Sequence, residues 1–289
     1  MTNESTYGTL ISAANLLALQ NNGDCLIIDC RFDLSDTEKK HSEYLQSHIP
    51  GAFYAHLDEQ LSSPIRPDSG RHPMPDIEQL TRWLAGCGFD GSQQVVVYDD
   101  SSGAMASRLW WLLKCLGHES VALLDGGWQA WLGAGFQTGA DIPQSNPGDY
   151  TARLDTDSVV SSAHIFSALK DSHSSSLQLV DVRSNERFIG AVEPIDPIAG
   201  HVPGAINMPL TDNLDEQGCY RSTQQLEAMY RPLLQQHSAR DLVFMCGSGV
   251  TACHSVLAMV HAGYEMPRVY AGSWSEWIRD CNRPRATGE

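Results

Sequence analysis

The chain has 289 residues and a formal net charge of −16. That length suits about two domains, and the charge would repel a phosphate backbone, so nucleic acid is not an expected partner. Hydrophobic residues make up 42% and charged residues 19%, a mixture that excludes long disordered tracts. No run approaches the ~18 apolar residues that span a bilayer. The start, MTNESTYGTL, lacks the basic and apolar regions of a secretory leader. The expected place is the cytoplasm, with no membrane partner.

In chain order, the pattern predicts an amphipathic helix over Leu10–Leu19, then an apolar strand ending in Asp29-Cys30-Arg31 and a loop through His48-Ile49-Pro50-Gly51-Ala52. A helix over Asp76–Ala85, the strand VVVY, a glycine-containing turn and an apolar helix follow. Residues Gln137–Asp157, rich in Gly, Pro, Asn and Asp, read as a linker. The series then recurs: a helix over Ser162–Leu169, Leu179–Arg183 (LVDVR), His201–Ala205 (HVPGA), a helix over Thr223–Leu234, the strand LVFM, a glycine turn, and a helix to about Ala262. An ungapped shift of 146 positions carries Asp100 onto Cys246 and aligns Val97 with Val243, Gly103 with Gly249, Trp128 with Trp274 and Trp131 with Trp277. The expected architecture is α/β, with two tandem domains (1–140 and 158–289, joined by 141–157), each a mainly parallel sheet with helices on both faces.

The repeat separates fold from chemistry. Asp-x-Arg, His-x-Pro-Gly and Trp-x-x-Trp occur in both copies and are assigned to the fold. At the end of the second strand the copies differ: Asp99-Asp100-Ser101-Ser102-Gly103 in one, Met245-Cys246-Gly247-Ser248-Gly249 in the other. Strand, glycine turn and helix start gather the N–H groups of Gly247–Ala252, among them those of Gly249, Val250 and Thr251, around one point that suits an anion. A thiol there can have its pKa lowered from ~8.5 to roughly 3.5–7.5, and the thiolate is a nucleophile. Cys246 is therefore the candidate nucleophile, and its sulfur must be reachable from solvent. With Asp100 in its place, the first copy should be silent. Cys253, inside the helix, reads as a buried small hydrophobe. A phosphatase loop of the Cys-x5-Arg type is poorly supported, because the sixth residue after Cys246 is Ala252 and the loop holds no cation. There is no Cys-x-x-Cys, and Cys253 and His254 diverge as helical neighbours, so neither metal nor cofactor is expected.

The loop Cys246–Cys253, the segment AGSWSEW at 271–277 and the tandem repeat resemble the two-domain rhodanese-family sulfurtransferases, above all the 3-mercaptopyruvate sulfurtransferases, over nearly the whole chain. The resemblance implies two rhodanese-like domains and a persulfide on Cys246. A small-molecule donor would supply its sulfur, and a thiol, cyanide or a thioredoxin-like protein would receive it, with pyruvate released. Relatives that use thiosulfate carry basic residues after the cysteine, whereas mercaptopyruvate enzymes carry Gly-Ser, as Gly247-Ser248 here. A Ser-His-Asp relay is implied at Ser248, His72 and Asp58, and a carboxylate-binding arginine at Arg187. The second arginine of that pair has no match, since residues 193–198 read EPIDPI. Two alternatives stay open: a thiosulfate sulfurtransferase, and a non-catalytic module in which Cys246 senses oxidants or holds sulfur.

Overall fold

The computed structural model describes residues 6–23, 25–170 and 177–288. The chain divides into two units, each discontinuous in sequence. Met1–Ser62, Pro75–Asp155 and Gln217–Cys219 form the first, and Ser63–Met74, Thr156–Glu216 and Tyr220–Glu289 the second. The loop that carries His72 thus groups with the second unit.

Among the described residues, the first unit holds a five-stranded parallel sheet of β1 (Leu10–Ile11), β2 (Cys25–Asp29), β3 (Phe53–Tyr54), β4 (Gln94–Tyr98) and β5 (Val121–Leu124), in the order β1-β5-β4-β2-β3. Its helices are α1 (Ala13–Asn22), α2 (Lys39–Gln46), α3 (Ile77–Gly86), α4 (Ala106–Cys115) and α5 (Gly127–Gly133). The apolar run of β4 is buried throughout, as a parallel strand covered on both faces requires. Val96 and Tyr98 pack with Leu16, Trp128 and Trp131. By strand alternation Val95 and Val97 face the other way, and α4 packs along β4 and β5. The helix predicted from Leu10 starts three residues later. Ser12 adopts an extended backbone and its hydroxyl accepts from Asn15 N–H, which leaves Leu10 and Ile11 to pair with Leu123 and Leu124.

The second unit repeats the plan with β6 (Gln178–Asp181), β7 (Ile206–Asn207), β8 (Leu242–Met245) and β9 (Arg268–Val269), parallel in the order β7-β6-β8-β9. Its helices are α6 (Ser162–Lys170), α7 (Asn185–Phe188), α8 (Thr223–Leu234), α9 (Ala252–His261) and α10 (Ser273–Trp277). In both units the Asp-x-Arg pair is buried under the first tryptophan of Trp-x-x-Trp. Arg31 binds Asp29 at 2.7 Å and lies 4.7 Å from the Trp128 ring, and Arg183 binds Asp181 at 2.7 Å and lies 5.0 Å from Trp274. Among the described residues no helix is long and apolar enough to cross a membrane, and residues 1–5, whose composition bears on targeting, lie outside them.

The strand registers correct the sequence alignment. Asp29 pairs with Tyr98 and Asp181 with Met245, so Asp99, and not Asp100, corresponds to Cys246. Trp128 N–H donates to the Asp99 carbonyl at 2.8 Å just as Trp274 N–H donates to that of Cys246 at 3.1 Å. The ungapped shift fails because the first copy spends one more residue between its strand and helix. Ser102 takes φ 55° within that longer turn.

Candidate active site

Cys246 follows β8 directly, and the AGSW segment seats it. Its N–H donates to Ser273 Oγ at 3.0 Å, its carbonyl accepts from Trp274 N–H, and the Gly247 carbonyl accepts from Ser275 N–H at 2.9 Å. The turn then needs a glycine at 249: φ is +78°, and a Cβ there would strike the Ala271 carbonyl. Gly249→Ala is expected to cost about 1–3 kcal/mol in a denaturation midpoint, and to lower activity further by misaligning the N–H that faces the sulfur. That N–H donates to Cys246 Sγ at 3.1 Å. Val250 is buried and its carbonyl accepts from Cys253 N–H; Thr251 is the residue before α9 and its carbonyl accepts from His254 N–H. Cys253 is buried in α9, its thiol against the Gly249 carbonyl at 3.5 Å.

Cys246 is only 1% exposed, and Ser248, Val250 and His72 are buried with it. The sequence reading asks for a sulfur open to solvent, whereas Cys246 is buried in the folded loop.

The corresponding loop of the first unit is already filled. Asp99 Oδ1 accepts from Ser101 and Gly103 N–H, and Oδ2 from Met105 and Ala106 N–H, each at 2.8 Å. Burial pushes this carboxyl up while the four N–H groups oppose the shift. Asp100 turns away to Lys40 at 2.6 Å.

His72 Nδ1 lies 2.7 Å from Ser248 Oγ, so the structure joins two of the three residues matched to the relay. Asp58 belongs to the first unit, where it is exposed and its N–H donates to His56 Nδ1 at 3.2 Å.

Arg187, on α7, forks onto Glu193 (Nε 3.1 Å, Nη2 2.7 Å) and reaches Asp196 at 3.3 Å. Glu193 also accepts from the N–H groups of Ile195 (3.1 Å) and Asp196 (3.0 Å) and pairs with Arg183 at 3.3 Å. Burial raises its carboxyl, but the Arg187 bonds and the two N–H groups outweigh burial and leave it below the usual carboxylate range. Asp196 pairs with a second guanidinium, that of Arg71. A Cβ built on Gly247 would lie 2.9 Å from Arg71 Nη2 and 3.5 Å from Arg187 Nη2, so two cations converge on the Cys246 loop. Sequence reading missed Arg71. Its signal was its place beside His72 in a loop with no clear counterpart in the other copy. Arg183, assigned to the fold, also faces this site. Burial lowers its pKa, but Asp181 and Glu193 outweigh that and raise it.

Two parallel sheets of one plan, each leading from a strand through a short loop into a helix, define a tandem α/β protein. The Rhodanese-like domain family matches residues 12–134 and again 163–280, and the chain belongs to that family. It is a sulfurtransferase. It is 44% identical over 282 residues to a probable 3-mercaptopyruvate sulfurtransferase of Pseudomonas aeruginosa, covering 97% of this chain and 98% of that one. It is 29% identical over 290 residues to the thiosulfate sulfurtransferase of Mus musculus, covering 96% and 95%. Among solved structures, the 3-mercaptopyruvate sulfurtransferase from Leishmania major superposes with a TM-score of 0.79 at 29% identity, covering 93% of this chain and 74% of that one.

Proposed function

We propose that this sulfurtransferase takes sulfur from 3-mercaptopyruvate, carries it as a persulfide on Cys246, and delivers it to a thiol or to cyanide. The Cys246 thiolate attacks the donor's sulfur. The C–S bond breaks, its electron pair goes to the methylene carbon, and the proton from the donor thiol ends on that carbon, which leaves as pyruvate. The persulfide then gives its outer sulfur to the acceptor and the thiolate returns. A small thiol, cyanide or a thioredoxin-like protein is the proposed acceptor, and the cytoplasm the proposed place.

The observation that carries this reading is the pair of equivalent loops. In one, an aspartate side chain fills the cradle with four N–H bonds of 2.8 Å. In the other, the corresponding residue is Cys246, with one N–H on its sulfur. A carboxylate oxygen and the outer sulfur of a persulfide stand the same number of bonds from Cα, so Asp99 marks where an anionic atom one bond beyond Cys246 Sγ would be received. The N–H groups of Gly247, Gly249, Val250 and Thr251 are proposed as that cradle. Ser248 and His72 are proposed to move the proton, with Asp58 as the relay's acid on resemblance, and Arg187 to hold the donor carboxylate.

Mercaptopyruvate is favoured over thiosulfate because no Lys or Arg lies within Gly247–Cys253. Comparing kcat/KM for the two donors tests this, and a preference for thiosulfate overturns it. Arg187→Met is expected to raise KM for mercaptopyruvate about tenfold or more, with the larger effect on KM than on kcat.

A further inference from the structure

Three arginines and three carboxylates meet beside the Cys246 loop: Arg71, Arg183 and Arg187 against Asp181, Glu193 and Asp196. The cluster is charge-balanced before any donor arrives. Its members are not equivalent. Asp181 is locked in the fold by a fork from Arg183, and Glu193 is tied down by two backbone N–H groups as well as by Arg187. Asp196 is held by side chains: Arg71 on one oxygen and Arg187, at 3.3 Å, on the other. These are the two guanidinium groups that converge over Gly247. Its own side chain is only 3% exposed.

From this arrangement we infer that Asp196 sets donor specificity: it is a resident carboxylate occupying the two-arginine seat that an anionic donor must take, and the donor binds by displacing it. This rests on the proposed reading of the site as one that receives a donor carboxylate.

The arrangement has a directional consequence. With Asp196 in place, a donor carboxylate brings an uncompensated negative charge close to the thiolate, and a doubly charged donor brings two. Asp196 therefore lowers affinity for every anionic donor and most for the more highly charged one. The environment is consistent with an exchangeable group, since burial and the neighbouring Glu193 charge push the Asp196 carboxyl up while Arg71 and Arg187 oppose them.

The test is Asp196→Asn in the whole chain, with pyruvate and its uncharged methyl ester as calorimetric probes. Asp196→Asn is expected to bind pyruvate about threefold to tenfold more tightly than wild type, with the ester unchanged. KM for mercaptopyruvate should fall by a similar factor while kcat stays within about twofold. Asp196→Ser repeats the measurement with a smaller neutral residue, and thermal melting reports whether each variant folds. Pyruvate affinity that is unchanged, weakened or absent in a folded variant would overturn the inference, because Asp196 would then merely position the arginines. Failure of both variants to fold would overturn it too, since Asp196 would be structural. Tighter pyruvate binding in a protein whose wild type takes no sulfur from mercaptopyruvate would sink the proposed reaction and leave this seat standing.

Discussion

Mercaptopyruvate is expected to add about 32 Da, one sulfur atom, to the wild-type chain, while Cys246→Ser abolishes the gain and lowers turnover by at least about 10³-fold. Serine is close in shape and keeps the two bonds that seat the residue, because the N–H to Ser273 and the carbonyl bond from Trp274 involve only backbone atoms of residue 246, and its hydroxyl oxygen can accept from Gly249 N–H in place of the sulfur. What it removes is the sulfur itself, the nucleophile that would accept another sulfur. The effect is therefore chemical rather than a loss of folding, and the melting temperature should hardly move. Peptide mapping is part of the experiment, because the chain has eight cysteines and Cys281 is exposed. Cyanide should return the mass to its starting value and release one thiocyanate per sulfur. A gain that survives in Cys246→Ser, or that maps to Cys281, would end the proposed mechanism.

Much of this was legible from residue patterns, and what was not has a definite physical origin. The strands VVVY and LVFM, the helix over Thr223–Leu234, and the loop around Cys246 were readable because apolar runs, caps and glycines act locally. The start of α1 was misplaced because Leu10 and Ile11 fit a helical face but are recruited by β5, a partner more than a hundred residues away. The alignment of the two copies slipped by one at Asp99 for a related reason. Two aspartates stand side by side, and only hydrogen-bond register reveals which fills the cradle and which meets Lys40. Arg71 is not legible in the sequence because its partner Asp196 lies 125 positions along the chain. Ion pairs of this kind are set by folding, so a missing arginine in one segment can be supplied from another.

The proton on carbon makes the second large effect depend on the donor. Transfer from mercaptopyruvate leaves a carbanion equivalent that must gain a proton, whereas thiosulfate loses sulfite when its S–S bond breaks and needs no proton at carbon. The His72–Ser248 contact of 2.7 Å, proposed above to move the proton, lies within the same unit as Cys246. His72→Ala is accordingly expected to lower kcat with mercaptopyruvate by about 10²-fold, the usual scale for one acid–base group, and to lower turnover with thiosulfate far less. His72→Gln sharpens the measurement, since an amide can still hydrogen-bond to Ser248 and fill space but cannot shuttle a proton at neutral pH. It should therefore restore stability to an Ala variant's melting curve without restoring mercaptopyruvate turnover. Slow protonation should also appear as a larger solvent deuterium isotope effect on pyruvate formation in the Gln variant. Equal losses with both donors would assign His72 to shaping the Cys246 loop, a packing role that every donor would feel alike.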